Sequence, residues 1–250
     1  MDDLIGQGAL FLVFAAGNCP DSGQIARAID GLSKLSISNR SDMADADGDH
    51  DWLELLCEGL TFDLKGIAEP FRVDAQTFPS QFHGVTCDQD DQFEALVLMP
   101  GPHLMGGQSQ LPIFRAQMAL AVTIGASLTE IAAFGWLESK SLIGCDQFVS
   151  IVDRWLNGGP VPVPGLISLR DAIDGGVQSV GLSFFTGQEL RIEPDQSVDS
   201  DDMARLAARL AAHLFLSGKL ETTEQITAPD GNPLRLEPSG NGNFVRVWRR

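Results

Sequence analysis

The chain has 250 residues, 44% hydrophobic and 20% charged, and 34 acidic against 17 basic side chains give a formal net charge of −17. That apolar content supports a packed core and excludes a disordered tail, a collagen-like rod and a disulfide miniprotein. The charge balance argues against nucleic acid as a partner, because phosphate contacts need clustered cations and the basic residues here are scattered. The one basic cluster is Arg246, Arg249 and Arg250, which reads as a solubilising end.

In chain order, residues 9–16 (ALFLVFAA) read as a buried strand. They are too short to span a membrane, and Asp2 and Asp3 ahead of them have the wrong sign for a secretion signal. A turn, Gly17-Asn18-Cys19-Pro20, leads to Asp21 or Ser22 as the cap of a helix with Ile25, Ala28, Ile29 and Leu32 at helical spacing. An acidic loop is expected up to Asp51, then a short helix over 52–60 and a strand over 60–64. Residues 68–91 are polar and irregular and read as a long surface connection.

A second strand over 93–99 ends in Pro100-Gly101-Pro102, followed by Gly106, Gly107 and a helix over 111–125. This repeats the strand, turn, helix order of residues 9–35. A strand over 131–137 and a helix over 146–156 come next. Residues 158–165 (GGPVPVPG) form an extended segment unable to join a central ladder, and divide possible lobes 1–157 and 166–250 of one compact unit. Strands are expected over 166–169, 179–185 and 189–192, with Phe184 and Phe185 on alternate faces and at least one buried. The strongest helix signal is 199–217, where Met203, Leu206, Ala207, Leu210, Ala211 and Leu214 make one apolar stripe. A hairpin of 225–227 with 234–236 and a strand over 244–248 complete the chain. The fold class is therefore α+β: a mixed, largely antiparallel sheet packed by helices, with repeated βα order.

Candidate chemistry is sparse. Asp45, Asp47, Gly48, Asp49, Asp51 and Glu54 fit positions 3, 5, 6, 7, 9 and 12 of a twelve-residue calcium loop. Position 1 would be Met43, which has no oxygen to give, so a solvated acidic loop explains them better and no metal is expected. Cys19 lies between a strand and a helix N-terminus, where a thiol pKa can fall. The phosphatase pattern wants Arg six residues later and Ile25 stands there, so buried, inert cysteine is the stronger explanation. His103 lies just past a strand end, where sites gather in α/β folds. Gly106, Gly107 and the helix start beyond them make a candidate anion or cofactor cradle, although a tight turn accounts for the glycines equally well. His213 reads as a semi-buried histidine beside the last helix's stripe, and Glu189 and Glu193 as carboxylates facing water. The four cysteines Cys19, Cys57, Cys87 and Cys145 are widely spaced, as in a reduced cytoplasmic protein.

Three stretches, Leu60-Thr61-Phe62-Asp63-Leu64, the run GLSFFTGQEL at 181–190, and Asp230-Gly231-Asn232-Pro233-Leu234-Arg235-Leu236, resemble segments of a bacterial domain-of-unknown-function family. The resemblance implies an intact bacterial cytoplasmic protein and carries no activity with it. The sequence favours a non-catalytic binding or interaction protein without cofactor. Its partner is a protein or small molecule, neither nucleic acid nor membrane, and its oligomeric state is unspecified. The alternative is a small-molecule enzyme or anion-binding protein using the 100–107 loop with Cys19 or His103.

Overall fold

The structure is a computed structural model that describes residues 5–32, 35–40, 52–74, 76–82, 85, 92–195, 199–228 and 230–249. The chain divides into two compact units, residues 1–165 and 166–250. The fold is α+β, with one sheet in each unit.

Unit 1 begins with β1 (Leu10–Ala15), every residue of which except the last is buried. It leads to α1 (Ser22–Ile29), started by a reciprocal cap: Gln24 N–H donates to Asp21 Oδ1 at 2.7 Å, and Asp21 N–H to Gln24 Oε1 at 2.8 Å. Next come β2 (Leu35–Arg40), β3 (Trp52–Cys57), β4 (Leu60–Lys65), β5 (Phe71–Val73), β6 (Ser80–Phe82) and β7 (Phe93–Pro100). A 3₁₀ turn (Pro102–Leu104) precedes α2 (Leu111–Ser127), and β8 (Ile131–Trp136), β9 (Ser141–Gly144) and α3 (Cys145–Leu156) follow. The strand order is β2-β3-β4-β7-β1-β8-β9-β6, with β5 also on β7. All these pairs are antiparallel except β6 with β9.

Alternation along the strands fixes the two faces of this sheet. Toward the helices, Phe134 stacks on Phe148 of α3 with ring centroids 4.2 Å apart, and Trp136 meets Phe114 of α2 at 5.6 Å. On the opposite face Phe11, Val13, Val97 and Ala133 are covered by Val73 and Phe78. Buried Gln117 on α2 ties two strands' ends together, its Nε2 donating to Gly8 O at 2.7 Å and Leu98 O at 3.1 Å. The 158–165 segment is held to β9 where Ser141 Oγ donates to Gly165 O at 2.8 Å.

Unit 2 holds β10 (Ser168–Asp171), β11 (Val177–Val180), β12 (Glu189–Ile192), α4 (Ser200–Ser217), β13 (Glu224–Thr227), β14 (Pro233–Pro238) and β15 (Phe244–Arg249). Its sheet runs β10-β11-β12-β15-β14-β13, antiparallel except for β12 with β15. Asp199 caps α4, whose Met203, Leu206, Leu210 and Leu214 are buried, and the helix packs on β10, β11 and β12. Gln188 exchanges two hydrogen bonds with Leu220, at 2.8 and 3.2 Å, fixing the chain after α4 to the turn before β12.

Several expectations are corrected. Residues 52–57 are a strand, because Leu53, Leu55 and Cys57 alternate inward and a hairpin turn follows with Glu58 at φ 50° and Gly59 at φ 83°. The stretch expected as an acidic loop begins with strand β2, and the expected 68–91 connection contains β5, β6 and the buried Phe78. The strand expected over 179–185 stops at Val180. Ser183–Thr186 is a helical turn, so Phe184 and Phe185 are both half-buried, packed edge to face with centroids 4.9 Å apart. The repeated βα order forms no parallel βαβ unit, since β1 and β7 are antiparallel neighbours. Strand β9 carried no sequence expectation, and its parallel partner β6 lies in the stretch expected as a connection.

Candidate functional site

The sequence candidates do not converge. β1 and β7 run antiparallel, with Ala15 opposite Phe93 and Leu10 opposite Leu98. Cys19 follows the C-terminal end of β1, and His103 follows the C-terminal end of β7. They therefore lie beyond opposite ends of the same strand pair, with about 16 Å of strand between those ends. Cys19 is half-buried, and burial, aided by the nearby Glu94 carboxylate, pushes its thiol up to about 12, which favours the protonated form. Cys145 is similar, pushed up to about 11 by burial and Asp146.

The glycine cradle is already occupied by its own chain. Gly106 N–H donates to Gln108 Oε1 at 2.7 Å, and Gly107 N–H donates to Leu104 O at 3.0 Å. Those donors close a turn, so neither glycine N–H is turned toward an anion. Asp45, Asp47, Asp49 and Asp51 lie outside the described residues. Glu54 lies on β3, and among the described residues no three His, Cys, Asp or Glu side chains are grouped to hold a metal.

What the fold does assemble is a polar corner on the sheet face opposite the helices. Thr61, Asp63 and Lys65 alternate onto that face of β4, where Asp63 stands across from Glu54 on β3 and Met99 on β7. A bulge in β2 between Ile37 and Asn39 turns Ser38 toward β3, and its hydroxyl donates to Glu54 Oε1 at 2.6 Å. At the end of β7, Gly101 N–H donates to Thr61 O at 3.0 Å, and a Cβ on Gly101 would stand 2.9 Å from that same oxygen. This close approach brings His103 down beside β4, with its Nδ1 3.4 Å from Thr61 Oγ1. The site thus includes His103 and Glu54 from the sequence candidates.

Asp63 is the centre of this corner. It is only 7% exposed, and its Oδ1 is buried with no hydrogen-bond partner. Burial pushes the carboxyl up from its ordinary value and the Glu54 charge adds to this, while Lys65 and His103 pull it down; burial prevails. Sequence reading missed Asp63 because it sits inside Leu60-Thr61-Phe62-Asp63-Leu64, which reads as plain strand. The available signal was a lone acid flanked by large apolar residues.

Other polar groups are used internally. Glu189, expected in water, accepts from Ser179 Oγ at 2.5 Å, Gly181 N–H at 2.9 Å, Ser183 N–H at 3.1 Å and Ser183 Oγ at 2.6 Å, so it fastens the loop before the helical turn to β12. Glu193 pairs with Arg191 at 3.4 Å and Arg246 at 2.5 Å, and Arg249 pairs with Asp230 at 2.7 Å. His213, expected semi-buried, is exposed. Two open clefts lie elsewhere in unit 1, about 390 Å³ between α1 and β2 and about 530 Å³ beside Gly144 and Cys145.

Comparison with protein-family models, curated proteins and solved structures gives no match to this chain. Among the described residues, no helix is long and apolar enough to cross a membrane.

Proposed function

We propose that the chain is a non-catalytic binding protein for a small molecule, and that the ligand meets unit 1 at the corner formed by Thr61, Asp63 and His103. The observation that supports this reading is the buried, unpartnered Asp63 Oδ1. An unmet polar atom in low dielectric costs about 1–3 kcal/mol, so a fold retains one where a ligand or a bound water completes it. The neighbouring groups are suited to recognition: an exposed imidazole, a hydroxyl and a second carboxylate, all on one side of a rigid antiparallel ladder. The 100–107 loop keeps a part in this reading through His103. The anion chemistry first associated with it is not favoured, because the glycine N–H groups are taken and the nearest buried group is acidic.

A fragment screen followed by amide NMR tests the assignment. Binding fragments are expected to shift Thr61, Asp63, Gly101 and His103 together, and to lose affinity when Thr61→Val and His103→Ala are combined. Fragments that shift the residues lining the α1–β2 cleft, or those around Cys145, while leaving this corner unmoved would overturn it.

A further inference from the structure

We infer that unit 1 carries a second recognition site, a groove between α1 and β2 that takes an extended partner peptide as an added strand on the free edge of β2. The peptide's chemistry is an alternation of apolar side chains with a basic residue at one end. This site is separate from the Asp63 corner, and the inference does not rest on the small-molecule reading above.

The first argument is the strand wall. Among the described residues, β2 stands at the end of the strand order and pairs on one side only, with β3. An edge strand keeps backbone N–H and C=O groups on its outer side, and an added strand satisfies them. The open cleft of about 390 Å³ is lined by Leu35, Ser36 and Ile37 in succession. Successive strand residues point to opposite faces, so a cavity on one face would meet only every second side chain. Three in a row mean that the cleft runs along the strand's edge. The bulge between Ile37 and Asn39 interrupts the pairing of β2 with β3, so the regular part of the edge and the wall of the cleft are the same three residues.

The second argument is the helix wall. The last turn of α1 and its cap supply Ala26, Arg27, Ile29 and Asp30 to the same cleft. Between a helix and an edge strand a polypeptide is held extended: the strand supplies main-chain hydrogen bonds, and the space beside the helix takes alternate side chains. Ile29 and Leu35 are buried and Ala26 and Ile37 half-buried, so the floor is apolar and formed before a partner arrives.

The third argument is charge. Asp30 is exposed at the C-terminal end of α1, where the helix's own carbonyls are negative, and it has no ion pair among the described residues. The chain as a whole carries −17, and that field draws cationic partners toward it. Exposed Arg27, one turn back, makes the other end of the rim unsuited to a second cation. The complementary segment is therefore apolar along its length and basic at the end that meets Asp30.

The test titrates acetyl-Thr-Val-Thr-Val-Lys-amide into the full chain at about 150 mM salt, followed by amide NMR. Saturable shifts are expected at Ala26, Leu35, Ser36 and Ile37. The same peptide ending in Glu is expected to bind more weakly, and Asp30→Asn to reduce the preference for Lys about two- to fivefold. Strand addition has its own signature, because alternate N–H groups of an extended chain point to opposite sides. N-methylation of the peptide's second and fourth residues, and of its third and fifth, are expected to differ, one pair abolishing binding and the other sparing it. Ala26→Phe, which fills the cleft from the helix side, is expected to abolish the shifts at residues 35–37. Its melting temperature separates a blocked groove from lost folding, and the methylated peptides need only the parent chain. No saturable shift at residues 35–37, an equal effect of the two methylation patterns, or equal binding of the Lys and Glu peptides would sink the proposal. So would a concentration-dependent dimer joined at these residues without peptide, since the occupant would then be a second copy of the chain.

Discussion

A single carboxyl group records how far a local rule carries. Thr61, Asp63 and Lys65 alternate along β4 as a polar face should, and that pattern alone would place them in water. Asp63 is instead buried, flanked by Glu54 on β3 and Met99 on β7 and with His103 brought beside Thr61, contacts between residues distant in sequence. Its energetic sign follows from the direction of its shift. With its carboxyl raised, the folded chain holds the proton to higher pH than the unfolded chain does. The resulting contribution is fully present at low pH and is lost as pH rises through the raised value, so ionised Asp63 is a net cost at neutral pH. Asp63→Asn is therefore expected to be more stable than the parent at pH 7, by about 1–3 kcal/mol, with the gap closing toward pH 3. Urea unfolding at several pH values measures it. A destabilised variant with no pH dependence would mean that the carboxylate is well satisfied.

At the scale of elements, the long periodic segments were legible and the short ones were not. Helix α4 announces itself through six apolar positions on one stripe, a cap at Asp199 and a stop at Gly218. Truncating Leu210 to Ala is expected to cost about 2–5 kcal/mol, read as a lower urea midpoint at unchanged slope. An unchanged midpoint would contradict its packing against β10, β11 and β12. Strand β3 was obscured because Leu53, Leu55 and Leu56 satisfy both a helical and an alternating spacing over so few residues. Only the Glu58-Gly59 turn, which returns the chain into β4, decides between them. The strands β5 and β6 are three residues each, shorter than any periodicity can define, and exist because β7 and β9 offer them edges. The candidate site shares this limit. His103 was visible as a residue past a strand end, but its partners Thr61 and Asp63 come from register, which no local signal encodes.

For the whole molecule, charge makes the firmest statement. Seventeen basic residues face thirty-four acidic ones, and the two described arginines of the basic cluster are already paired, Arg246 with Glu193 and Arg249 with Asp230. An approaching polyanion meets repulsion and finds its strongest local attraction spent. Fluorescence anisotropy with single- and double-stranded oligonucleotides at about 150 mM salt is expected to show no saturable binding. Micromolar binding abolished by Arg246→Ala and Arg249→Ala together would reverse that expectation. The strand order of the second sheet has a consequence for synthesis on the ribosome. Strand β15 lies between β12 and β14, so β10-β11-β12 and the β13-β14 hairpin share no ladder until Phe244–Arg249 has emerged. Vectorial folding can complete the first sheet while the second still exists as two unjoined pieces. The nascent chain thus exposes the inner edges of β12 and β14 until β15 leaves the exit tunnel, and in that interval those edges are open to pairing with other chains.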